Sequence, residues 1–79
     1  METRYRPHAV ERMFERRISP QEVEGVLRDP DGVISQSMDK VIAYKHIDGR
    51  ADNSIAVVAV EGREVWEVVT VMVNFEVGE

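Results

Sequence analysis

Apolar positions along this chain change their period near Gly32. Before it they recur at helical spacing. Each helical residue turns the chain by about 100°, so over residues 8 to 17 Ala9, Val10, Met13 and Phe14 are expected on one side. His8, Arg12 and Arg16, four apart, form a row on the other. Pro7 suits the first helical position, where a missing N–H loses no partner, and the helix should stop near Arg17. A second helix is more fully signalled. Ser19 is the N-cap, Pro20 the first helical residue, and Glu22 completes a capping box, with Ile18 stapled onto Val23. Its inward stripe is Val23, Val26 and Leu27; Arg28 complements the negative end of the helix dipole, and Asp29-Pro30-Asp31-Gly32 turns the chain.

Beyond Gly32 the alternation is that of strands, predicted over Val33–Ser37, Lys40–Ile47, Ser54–Val60 and Glu64–Asn74. A loop through residues 48–53 separates the middle pair, and Glu61-Gly62-Arg63 makes a hairpin turn. The last two strands carry apolar residues on both sides and read as central, with the first nearer an edge. The fold class is therefore α+β. Two N-terminal helices should pack on one face of a mainly antiparallel sheet of three or four strands, with Met13, Phe14, Val23, Val26 and Leu27 against valines of the last two.

Length makes this a single domain over residues 1–79. A chain of this size buries only about 60% of its unfolded surface, so a homodimer is expected to supply further burial. There is no cysteine, which removes disulfides, zinc-finger spacing and a thiol nucleophile and suits a reducing cytoplasm. The longest apolar run, Ile55–Val60, is far short of the roughly 20 residues of a membrane helix, and the first residues lack the apolar stretch of a signal peptide. A soluble, cytoplasmic protein without membrane contact is the expectation.

Two places hold candidate chemistry. The first is the His8, Arg12, Arg16 row, where an imidazole and two guanidinium forks could grip a phosphate. The alternative is an ordinary solvated helix face, because Glu11 and Glu15 lie beside it and Arg12 can pair with Glu15 at i,i+3. The second is the sheet face carrying Tyr44, His46 and Asn74, which could offer an acid–base group and hydrogen bonds to a nucleotide. Against it, His46 precedes an Asp-Gly loop as a strand-end surface residue does, and Trp66 among valines reads as a core or interface anchor. Asp29, Asp31 and Asp39 read as turn formers. No metal or cofactor motif is present, and none is expected.

The string HAxxRMxxRxISxxEVxxVLxxPD, from His8 to Asp31, and Val68-Val69-Thr70-Val71 near the end resemble the bacterial domain-of-unknown-function family four-two-five-eight. The segment Ile18–Pro30 is also similar to the equivalent part of BrnT-type toxins, small ribonucleases of the RelE-like fold class made by toxin–antitoxin pairs. The resemblance implies a RelE-like fold, RNA as substrate, an antitoxin partner, and His8 or His46 as proton carrier with Arg12 or Arg16 on the phosphate. One departure stands out. Such toxins follow the last strand with a basic segment, whereas here Asn74-Phe75-Glu76-Val77-Gly78-Glu79 is acidic. The formal net charge of -5 also opposes nucleic-acid binding, which rests on cations neutralising phosphates. Residues 1–28 hold six arginines against five glutamates, so any RNA-facing surface must come from the N-terminal helices. Three functions follow: a toxin-like ribonuclease, a non-catalytic protein-interaction or oligomerising module, and a nucleic-acid-binding regulator without catalysis.

Overall fold

The computed structural model of the chain describes residues 2–49 and 54–75. Along the chain run β1 (Glu2–Tyr5), α1 (Pro7–Arg16), α2 (Pro20–Arg28), β2 (Gly32–Ser35), β3 (Lys40–His46), β4 (Ser54–Glu61) and β5 (Val65–Val73). The strands make one sheet in the order β1-β5-β4-β3-β2. Neighbours from β2 to β5 are antiparallel, and β1 lies parallel to β5. The α+β class with a helical pair on one face holds, but the sheet has five strands and is mixed, not three or four and antiparallel.

The extra strand is the N-terminal one. Glu2 and Arg4 face solvent while Thr3 and Tyr5 are half-buried, an alternation confined to four residues before Pro7. Its backbone is tied at both ends, with the Glu2 N–H donating to the Glu64 carbonyl at 3.0 Å and the Arg6 N–H to the Val68 carbonyl at 3.0 Å. As expected, β4 and β5 are interior strands and β2 is an edge. Of the β3–β4 connection, residues 50–53 lie outside the described residues, as does the acidic tail from Glu76.

Local signals explain the helices. The Ser19 hydroxyl accepts from the Glu22 N–H at 3.2 Å and the Glu22 carboxylate accepts from the Ser19 N–H at 2.9 Å, so the capping box forms as read. α1 ends where Arg17 takes a left-handed conformation, φ 56°, which lets the Ile18 N–H reach back to the Met13 carbonyl at 2.8 Å. The Asp29–Asp31 turn is pinned to β3. Lys45 Nζ donates to the Asp29 carbonyl at 2.8 Å, and the Asp31 carboxylate accepts from the His46 N–H at 2.8 Å. Positive φ in the β4–β5 hairpin falls on Glu64, not on Gly62.

Alternation along the strands separates two apolar clusters. On the helix side Ala9, Met13, Ile18, Val23 and Val26 pack against Ala43, Ile55, Val57, Ala59, Val68 and Val71. On the side without helices Ile42, Ala56 and Val58 are buried among Ile34, Tyr44, Val69, Met72 and Phe75. A β-bulge between Val58/Ala59 and the facing Val68–Thr70 shifts the register of β5. The molecule is thus a two-layer slab, with Cα extents of 34 × 29 × 19 Å.

Candidate functional site

On α1 the buried stripe is narrower than the sequence suggests. Ala9 and Met13 face the sheet, whereas Val10 is 53% exposed and Phe14 87%. Arg12 and Phe14 each stand about 100° from Met13, one to each side. A ten-residue helix resting on a single strand covers only the Ala9–Met13 direction, so the basic row and the Val10–Phe14 pair flank it. Phe14 therefore does not meet the valines of β5, contrary to expectation. The row itself is a solvated surface. Arg12 Nη1 donates to Glu15 Oε2 at 3.0 Å, with the two side chains 40% and 47% exposed. Such an i,i+3 pair contributes a few tenths of a kcal/mol. His8 is exposed, and Arg16, also exposed, is already engaged in interactions of its own.

The second candidate group occupies one end of the sheet, on the face away from the helices. Tyr44 packs its ring on Phe75, with centroids 5.5 Å apart, and lies over Gly32, where a side chain of any size would collide with the Tyr44 hydroxyl. Tyr44 is thus a packing residue. Asn74 is exposed and takes a left-handed φ of 53°, a conformation asparagine tolerates, which turns the chain out of β5. The next residue is held there, since Ser54 Oγ donates to the Phe75 carbonyl at 2.8 Å. His46 Nε2 stands 3.3 Å from Asp48 Oδ1 in an exposed pair.

These placements decide which residues can cooperate. Alternation from Ile42 through Tyr44 puts His46 on the open face, and α1 covers the opposite one. His46 and Arg12 cannot act on one phosphate. His8, Arg12 and Arg16 stay together, one helical turn apart in succession on α1. Among the described residues no group of three or more His, Cys, Asp or Glu is placed to hold a metal ion, and no helix is long and apolar enough to cross a membrane.

Tyr5 escaped sequence reasoning. Its hydroxyl is buried and has no hydrogen-bond partner among the described residues. Burial pushes its pKa above the ordinary tyrosine value, and the negative charge of Glu24 pushes it further the same way. The alternation of Thr3 and Tyr5 with Glu2 and Arg4 was the available signal for an inward-facing tyrosine.

Searches of curated proteins and of solved structures gave no match. A family model described as a domain of unknown function, DUF4258, matches residues 5–73, from the last residue of β1 to the last of β5. The match takes in both helices and four of the strands and carries no activity with it, and on that coverage the chain belongs to the DUF4258 family.

Proposed function

We propose that this domain is a non-catalytic interaction module, and that its partner is a second copy of the chain seated open face to open face. One observation carries the reading: the helix-free side of the sheet is apolar from Ile34 on the edge strand β2, through Ile42 and Val58, to Val69 and Met72 on β5. Five strands spaced by about 4.8 Å, with eight residues of β4 at about 3.3 Å each, give a face of roughly 600 Å² in projection. Ile42, Ala56 and Val58 at its centre are each less than a tenth exposed, so a partner would meet chiefly the half-buried Ile34, Tyr44, Val69 and Met72 around them.

A second copy fits the shape and the charges. Two twisted sheets stack at about 10 Å with nearly aligned strands, which turns the slab into four layers with helices outside. At the rim the open face carries both signs, Glu2 and Glu67 beside Arg4 and Arg6, and Lys40 toward the other edge. A two-fold related copy can therefore set acid against base, as isologous contacts require.

A ribonuclease reading has one observation in its favour, the exposed His8 with Arg12 one turn away. In it His8 takes the proton of a 2′-hydroxyl and Arg12 steadies charge on the phosphate. It ranks second because Arg12 is already paired with Glu15 and the sequence is acidic, with a net charge of -5. A cytoplasmic setting suits both readings, since the sequence has no cysteine.

Light scattering at micromolar concentration, run beside an RNA cleavage assay, tests the choice. The interaction reading expects a mass twice that of one chain and no cleavage. A monomer that cleaves RNA, with cleavage lost in His8→Ala, reverses the order of the two. A monomer that holds a different protein, such as an antitoxin, on the open face overturns the second copy as the occupant.

A further inference from the structure

Between α2 and the first residues of β1 and β5 lies a half-open cavity of about 390 Å³, lined by Thr3, Glu24, Leu27, Arg28 and Trp66. Small-molecule sites begin at about 300 Å³, so it can hold a compact ligand. Thr3 pairs with Trp66 in the sheet, and Trp66 packs on the helix-side core. The cavity is therefore on the opposite side from the open face and is independent of the dimer.

Its charges are unusually placed. Glu24 and Arg28 stand one turn apart on α2, acid before base, the order that favours an i,i+4 ion pair. No ion pair joins them, and neither takes another ionic partner among the described residues. The charge of Glu24 bears instead on Tyr5, whose buried hydroxyl is unpartnered. Trp66 and Leu27 add apolar walls and Thr3 a hydroxyl. A carboxylate and a guanidinium, neither with an ionic partner among the described residues, thus stand at one small space beside an indole and a hydroxyl.

We propose that this cavity binds a free α-amino acid with an apolar side chain. Its ammonium group meets the Glu24 carboxylate, its carboxylate meets Arg28, and its side chain lies against Trp66 and Leu27. The stoichiometry of charge supports this class: the site offers one charge of each sign, and a zwitterion brings one of each. A guanidinium fork receives a carboxylate through two parallel bonds, and an ammonium has donors enough for the Glu24 carboxylate and the Thr3 hydroxyl together. Four residues of helix rise by about 6 Å, so Glu24 and Arg28 can reach adjacent groups of one small molecule. A phosphate-rich ligand would set excess negative charge against Glu24, and a hydrocarbon would leave both ions unpaired.

Trp66 is the only tryptophan in the sequence, so its fluorescence reports on this site alone. Titration of the full chain with L-phenylalanine and L-leucine should give a saturable change. Phenethylamine, which lacks the carboxylate, and N-acetyl-phenylalanine, which lacks the ammonium, should each bind roughly tenfold more weakly or worse, as expected when a charge-assisted hydrogen bond is lost. Glu24→Gln and Arg28→Gln should weaken L-phenylalanine by a similar factor while the circular-dichroism melt stays in place. The proposal is overturned if the parent protein shows no saturable signal up to millimolar amino acid, if the two blocked ligands bind as well as the zwitterion, or if both variants bind like the parent. The ligand comparison uses the unaltered protein, so it decides even if a variant misfolds.

Discussion

Arg12 shows how far a single residue can be read without its surroundings. Spacing placed it correctly between His8 and Arg16, and the alternative of an ordinary Arg12–Glu15 pair is the arrangement that forms. Replacing Arg12 by alanine should change stability by less than about 1 kcal/mol, checked by urea unfolding. Met13→Ala, one residue on and buried, should cost about 2 to 5 kcal/mol. Phe14 was misread because a hydrophobic pattern gives the direction of a helix face but not the width of the surface that covers it. Tyr5 supplies a pH test. The native state holds the phenol proton to higher pH than the unfolded chain, so this contribution to stability is complete below about pH 10 and is lost as pH rises toward the raised native value. Tyr5→Phe should abolish that alkaline loss in thermal melts across pH. It should also raise neutral-pH stability by about 1 kcal/mol, because it removes an unpartnered buried hydroxyl.

Elements with local signals were legible, and those fixed by distant partners were not. The second helix could be placed to the residue because Ser19, Pro20 and Glu22 satisfy its first N–H groups from within four positions of sequence. Ser19→Ala should accordingly cost about 1 kcal/mol by thermal melt. β1 had no such signal. Its partner is β5, at the far end of the chain, and a short run of alternating polar and half-apolar residues acquires a strand identity only once that neighbour is present. The end of α1 is a place where the sequence departs from the local optimum, since Arg17 occupies a left-handed position that glycine fills without strain. Arg17→Gly should stabilise the domain by up to about 1 kcal/mol, read as a higher melting temperature.

At the scale of the molecule, the division of the sheet into a covered and an uncovered face governs everything else. The sequence predicted valines on both sides of the last two strands, which is correct, and a homodimer to cover them. It did not reveal that the proposed chemistry would be split, with His8 and Arg12 on the helix layer and Tyr44 and His46 on the other side, because helix-to-sheet placement depends on which strand each helix crosses. The split sets the His8–Arg12 row and the Tyr44–His46 group on opposite layers, and in the proposed reading the open face is the surface that a second copy covers. Sedimentation velocity of the parent protein beside Met72→Lys, on the open face, and Phe14→Lys, on the exposed side of α1, tests this most directly. The account predicts dimers for the parent and for Phe14→Lys, and a folded monomer for Met72→Lys. A monomeric parent, or dissociation by Phe14→Lys but not by Met72→Lys, would contradict it.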